Sequence, residues 1–409
     1  MSTRVVLLIL TSVLSAFTRG GAQRTPIPQL RLVEEWRVDA KKQRLEQTGQ
    51  ISIAPDGRVI VAPGFGRADG MRVGRGEIVR SARGEIAALD STGKTVLWRL
   101  ATGWSHDMEI RSVDRIGWTG AQMWIGDRGL RQIALVDNAG KVTKSLENPP
   151  FARPSLSERR KYPIFADVDP LARYADGSLL VRPLREKNVF DTPEFDSTAT
   201  HLLRVSADGI IAASIASYPP DISVSFPGDR GAITAAVPLQ SRTLWNVSPD
   251  GTRIVLIAVA MSGRDSATFG VVMLNERGDT VFTRRLPFTP LLVTQLARES
   301  ALARRANVPG QTADQVRAAV AKRMPPFFPP VNSAFIGRDG TTWIVLRPPA
   351  GDTASQPLLI LDPRGEPIGA LSVRRNVAVL AADRDHAWTV ERDGSGVIAI
   401  VRHQVARRH

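Results

Sequence analysis

Apolar and polar positions alternate in short runs along most of the chain, and the runs come in pairs around a turn. Five pairs share one shape: ALDSTGKTV (88–96), ALVDNAGKV (134–142), LLRVSADGII (202–211), VMLNERGDT (272–280) and LILDPRGEP (359–367). Each turn has Asp, Asn or Ser followed three residues later by Gly. The couples are Asp90/Gly93, Asp137/Gly140, Ser206/Gly209, Asn275/Gly278 and Asp362/Gly365. The first side chain can accept from turn N–H groups, and Gly takes the left-handed position that closes a hairpin. A second set of strands interleaves with these: RVIVA (58–62), QMWIG (122–126), SLLVR (178–182), RIVLI (253–257), TWIVL (342–346) and AWTVE (387–391). Four of them follow an Asp-Gly turn, in APDG, YADG, SPDG and GRDG, and the other two follow RIGWTG and DRDH.

Two hairpins per unit, repeated six times, is the pattern of four-stranded antiparallel blades in a β-propeller. The last unit ends one strand short, after GVIAIVRHQV (396–405). LRLVEEWRV (30–38) can supply the missing strand from the other terminus, which would close the ring and remove an open sheet edge. The expected fold is therefore all-β: a six-bladed propeller in one domain (23–409), closed by N- and C-terminal strands sharing a blade. The spacing of units is irregular, which leaves seven blades as the other count.

One stretch departs from strand periodicity. LLVTQLARESALARR (291–305) carries apolar residues at helical spacing, NVPG interrupts it, and Thr312 with Gln315 forms a capping-box pair ahead of VRAAVAKRM. Two short helices are expected within 291–324, before the fifth blade. They would serve either as a lid or docking element or as a packed plug.

ALDSTGKT (88–95) also fits a loose phosphate-binding loop. Such a loop needs a strand before it and a helix after it, so that backbone N–H groups face the phosphates. The flanks GEIAAL and VLWRL are both strand-like, and the shape recurs five times. It reads as a turn. GFGRADGMRVGRG (64–76) likewise lacks the strand–helix frame of a dinucleotide site.

The blade pattern resembles exported bacterial six-bladed propellers of the NHL-type and TolB-like kind. PPFFPPVNSAFIGRDGTTWIVL (325–346) looks like a segment of uncharacterised members of that group, and ALDSTGKTVLWRL resembles a single quinoprotein-type repeat. The resemblance implies a fold and leaves function open, because propellers host both enzymes and pure binding proteins.

The N-terminus, MSTR followed by VVLLILTSVLSAFT and RGGAQ, reads as a signal peptide cleaved after Ala22. Its apolar run is shorter than the ~20 residues of a spanning helix. A periplasmic or secreted protein without a transmembrane anchor is expected, with an uncleaved anchor as the alternative. The chain has no cysteine, which excludes disulfides, thiolate metal sites and cysteine nucleophiles. The formal net charge is +14, and 46 of the 54 basic residues are Arg. They are scattered without a run of five, which argues against a nucleic-acid partner.

In a propeller, turns inside each hairpin fall on one face, and connections between hairpins and between blades fall on the other. The second set is long here: 63–84, 101–107, 147–169, 183–200, 258–269 and 287–332. Long loops on a rigid frame are where binding residues sit. They mix cations with aromatics, which makes Arg67, Trp104, His106, Asp107, Arg160, Tyr162 and Arg185 candidate ligand-binding residues. WSHDMEI (104–110) would lead into the innermost strand of the second blade. Asp107 and Glu109 would then share one strand face and could hold one divalent metal ion in the central channel. No HExxH, paired-His or G-x-S-x-G motif is present. The favoured expectation is a monomeric binding or scaffold propeller for an envelope protein or a small anionic or sugar-like ligand. The alternative is a metal-dependent hydrolase or lactonase at the channel mouth.

Overall fold

The computed structural model describes residues 26–63, 84–103, 109–127, 129–147, 165–185, 199–227, 233–261, 267–303 and 310–408. Strand β1 (Leu30–Asp39) comes first in the chain. Blade 1 follows as β2 (Thr48–Ile53), β3 (Val59–Pro63), β4 (Gly84–Leu89) and β5 (Val96–Thr102). Blade 2 is β6 (Arg115–Thr119), β7 (Gln122–Asp127), β8 (Gln132–Val136) and β9 (Val142–Glu147). Blade 3 is β10 (Phe165–Arg173), β11 (Leu179–Arg185), β12 (Thr200–Val205) and β13 (Ile211–Tyr218).

A two-stranded hairpin then intervenes, β14 (Ser223–Phe226) with β15 (Ile233–Ala236). Blade 4 is β16 (Leu244–Val247), β17 (Arg253–Met261), β18 (Ala267–Asn275) and β19 (Thr280–Phe288). Helices α1 (Gln295–Ala303) and α2 (Ala313–Ala321) precede blade 5, which is β20 (Val331–Ile336), β21 (Thr342–Leu346), β22 (Ser355–Leu361) and β23 (Pro367–Arg374). Blade 6 is β24 (Val377–Ala382), β25 (His386–Asp393) and β26 (Gly396–Arg407), completed by β1.

The fold is thus the expected six-bladed propeller. β1 pairs antiparallel with β26 from Leu30↔Arg407 to Asp39↔Ala399. Arg37 adds a cross-strand tie, donating to both oxygens of Glu391 at 2.8 and 2.9 Å and to Glu34 on its own strand.

The period of two explains why the blades stack. Along β3, Val59 and Val61 enter the core shared with blade 6, while Ile60 and Ala62 enter the core shared with blade 2. Met123 and Ile125 of β7 face blade 1, and Trp124 between them faces blade 3. Trp343 of β21 faces blade 6, and Ile344 faces blade 4. Both faces of each middle strand are buried, so these strands read as nearly continuous apolar runs. There are six such interblade cores, one per junction.

A recurrent contact locks neighbours at the rim. The ring of Trp36 on β1 lies over Gly93 in the outer turn of blade 1. Trp98 on β5 lies over Gly140 in the outer turn of blade 2, and Phe282 on β19 over Gly365 in that of blade 5. These glycines have φ of +71°, +80° and +83°. Each therefore meets two demands at once, a left-handed turn and the close approach of an aromatic face.

Helices α1 and α2 do form before blade 5. Thr312 and Gln315 make the reciprocal capping box, with Gln315 N donating to Thr312 Oγ1 at 3.2 Å and Thr312 N donating to Gln315 Oε1 at 3.0 Å. The helices start at Gln295 rather than Leu291, since Leu292 forms a bridge with Phe327 instead. They share a separate small core with the β14–β15 hairpin, built from Phe226, Val237, Ala301, Val316, Val320 and Met324. The leader segment lies outside the described residues. Among the described residues, no helix is long and apolar enough to cross a membrane.

Candidate functional site

Chain order fixes two unlike faces. The first-to-second and third-to-fourth strand turns of each blade lie on one face and are short. Several of their polar groups bond one another or adjacent blades. Arg58 donates to the carbonyl and side-chain oxygens of Asn138 at 3.0 and 2.7 Å, tying blade 1 to blade 2. Tyr174 donates to the Gly251 carbonyl at 3.2 Å, tying blade 3 to blade 4. Arg338 meets Asp383 at 2.8 Å, tying blade 5 to blade 6. The Trp118 N–H donates to the Pro249 carbonyl at 2.8 Å, so blade 2 reaches blade 4 directly past blade 3. This end is bridged close to the axis, and Arg253 Nη1, beside Gly340, is buried there without a hydrogen-bond partner among the described residues.

The opposite face carries the second-to-third strand loops and every interblade connection. Most of the sequence-predicted residues belong to these loops. Arg67, Trp104, His106, Asp107, Arg160 and Tyr162 lie outside the described residues. The Arg185 backbone ends β11 opposite Phe165.

Glu109 corrects one expectation. It does not enter a strand. It is exposed in the connection ahead of β6, which begins only at Arg115. The reason is Asp127, buried at the end of β7. Its carboxylate accepts from the N–H groups of Arg111 at 2.7 Å, Ser112 at 3.1 Å and Leu130 at 3.1 Å, and from Ser112 Oγ at 3.1 Å. Those bonds hold the connection as a loop, and Ile110 and Val113 turn into the blade 1–2 core instead. Among the described residues there is no grouping of three or more His, Asp or Glu able to hold a metal ion. Asp107, the partner of Glu109 in the expected metal pair, lies outside the described residues.

One cavity on this face sits over blade 5 and encloses about 530 Å³. One wall is the segment entering blade 5, with Leu291, Leu292 and Phe328. The other is the loop 347–353, closed at the end by Arg375. Two arginines and no carboxylate line it. Arg347 leaves β21 with its N–H on the Pro330 carbonyl at 2.8 Å and its Nε on the Pro329 carbonyl at 2.9 Å. Its guanidinium carbon stacks 4.4 Å from the centre of the Phe328 ring. Burial pulls its proton affinity below the ordinary arginine value, and no acid opposes that effect. The acid nearest in sequence is Asp352. Both its oxygens are engaged within the loop, by Ala354 N, Ser355 N and the Ser355 hydroxyl.

A second polar cluster lies between blades 2, 3 and 4. Arg182 donates to Asp169 at 2.7 Å, directly across β10–β11, and its guanidinium carbon lies 5.3 Å from the centre of the Trp245 ring. Half-buried Arg115 has its proton affinity lowered by burial, with Asp169 opposing the shift and Arg182 adding to it. Burial pushes the Tyr218 phenol up to about 12. This cluster is ion-paired within itself, whereas the cavity over blade 5 holds uncompensated positive charge.

The blade 5 cavity escaped the sequence reading. Its residues come from four segments spread between Leu291 and Arg375, and Arg347 is one of 46 arginines. The one available signal was PPFFPP, whose carbonyls orient Arg347 and whose Phe328 supports it.

No protein-family model matches the chain, and no curated protein matches it. Solved structures do. A member of the DUF4221 family from Bacteroides vulgatus superposes with a TM-score of 0.52 at 9% identity, covering 94% of this chain and 100% of that one. A gluconolactonase from Xanthomonas campestris gives a TM-score of 0.36 at 11% identity, covering 93% and 99%. The calcium-binding protein regucalcin from Agrobacterium tumefaciens gives 0.34 at 12%, covering 89% and 92%. The first of these likenesses is one of fold: the chain is a six-bladed β-propeller.

Proposed function

We propose that this protein is an exported, non-catalytic binding or scaffold propeller that grips a small ligand or an envelope protein through its long-loop face. The observation that carries the reading is the inequality of the two faces. Turn-face side chains tie blade to blade, while the long-loop face holds a sizeable cavity with two arginines and no acid among its described lining. A rigid ring that displays long connections on one side is suited to recognition. A leader cleaved after Ala22 would direct the chain out of the cytoplasm, where a cysteine-free fold of this size needs no disulfide.

The test is the melting temperature of the purified protein with chelator, with divalent metals, and with a panel of anionic and sugar ligands. A ligand that binds only the native state raises the melting temperature by mass action. The reading expects no response to chelator and a rise with at least one anion. A fall on chelation that one metal restores would replace it with the metal-dependent enzyme.

A further inference from the structure

We infer that the cavity over blade 5 is a binding site for a small organic carboxylate, with Arg347 and Arg375 on the carboxylate and Leu291 and Leu292 on its apolar body. The inference rests on the binding reading above and gives it a place and a ligand class.

Four observations converge. The volume of about 530 Å³ lies within the range that small-molecule sites occupy. Two arginines line it, and the carboxylate of the adjoining loop, Asp352, is outside the lining and engaged by Ala354 and Ser355. Arg347 is preorganised: its Nε is fixed on Pro329 and its plane is stacked on Phe328. Among the described residues its terminal nitrogens have no hydrogen-bond partner, so the outer edge of the fork is left to a ligand. A planar guanidinium edge matches a carboxylate by two parallel hydrogen bonds. Last, the rim is apolar on the side of the insertion. Leu292 is 63% exposed, an unusual state for a leucine that also lines a cavity. Burying an apolar tail there removes that surface from water.

A half-buried arginine without an acid is costly unless something else satisfies it. Arg284, Arg204 and Arg182, by contrast, each pair with a carboxylate. Phe328 and the Pro329 carbonyl satisfy only one side of Arg347, and a carboxylate would complete it.

The experiment is a calorimetric titration of the purified protein with sodium hexanoate, hexanamide and inorganic phosphate. Hexanoate should bind, with hexanamide and phosphate at least about tenfold weaker, since one lacks the charge and the other the tail. Arg375→Gln, at an exposed position outside any strand, should weaken hexanoate by about tenfold and leave the melting temperature unchanged. Arg347→Lys keeps the charge but loses the fork, and should weaken it similarly. The inference is overturned if hexanoate does not bind, if hexanamide or phosphate binds as well, or if both variants bind hexanoate like the parent. Loss of this site alone would leave capture through the other long loops intact, so its failure is separable from failure of the binding reading.

Discussion

Gly140→Ala is the substitution on which the packing account can be tested most sharply. Gly140 has φ +80°, and a Cβ placed there would lie 2.5 Å from the ring of Trp98. Gly57 and Gly177 have nearly the same φ, +89° and +82°, but the nearest atom to their added Cβ is 3.7 Å away. The left-handed conformation costs an alanine ~1–2 kcal/mol, and the stiffer unfolded chain returns about 0.4–1. Gly57→Ala and Gly177→Ala should therefore each cost about 1 kcal/mol. Gly140→Ala adds the displacement of an aromatic ring, about 1–3 kcal/mol on the scale of overpacked cores. Its total should be roughly 2–4 kcal/mol. Urea unfolding of the three variants followed by tryptophan fluorescence reads the difference directly. A cycle with Trp98→Ala isolates the cause, because removing the ring should abolish the extra penalty of Gly140→Ala. Equal losses at all three glycines would refute the reasoning, as would strict additivity in the cycle.

Three further outcomes follow from the same structure. Deleting residues 23–39 removes β1 and opens the ring at β26, so the protein should aggregate or melt well below the parent, whereas Arg37→Ala should cost only ~0.2–1 kcal/mol because the ion pairs are half exposed; a closed, stable truncation would contradict the topology. His403 bonds Thr389 at 3.0 Å, and burial lowers its pKa, with Glu34 and Glu391 opposing. The unfolded chain then binds the proton first as pH falls. This contribution is complete above about pH 6.5 and is lost as pH drops through the folded-state value. His403→Gln should flatten the stability profile from about pH 7 downward, and an unchanged slope in urea titrations at several pH values would count against it. Thr312→Ala removes the capping box and should cost ~1 kcal/mol, felt as faster amide exchange in α2 with the propeller's melting unchanged, because the insertion has its own core; slowed or unaltered exchange would exclude that.

The ring was legible because its signals are local. Gly93, Gly140, Gly209, Gly278 and Gly365 each sit three residues after Asp, Asn or Ser, and each has positive φ in the structure. The leading side chains do cap the turns, as when Asp137 Oδ1 accepts from the N–H groups of Ala139 and Lys141, each at 2.9 Å. The capping box of α2 is likewise written within four residues. The β14–β15 hairpin was missed although PGDRGA (227–232) separates its strands, because SVSF and ITAA are only four residues each. So was the role of Asp127, whose partners Arg111 and Ser112 lie 15 or 16 residues away. Without that carboxylate in view, alternation through Asp107 and Glu109 suggested a strand, whereas the chain from Glu109 to Asp114 is a tethered loop. The blade 5 cavity depends on four segments meeting in space, which periodicity does not encode.

The central claim is that recognition belongs to the long-loop face. The most direct measurement places a photo-reactive residue in turn at Pro349 and Thr353 on that face and at Ser91 and Asn138 on the turn face, and irradiates the producing cells. The account predicts a specific adduct, competed by excess unmodified protein, from Pro349 or Thr353 and none from Ser91 or Asn138. Adducts confined to the turn-face positions would contradict it.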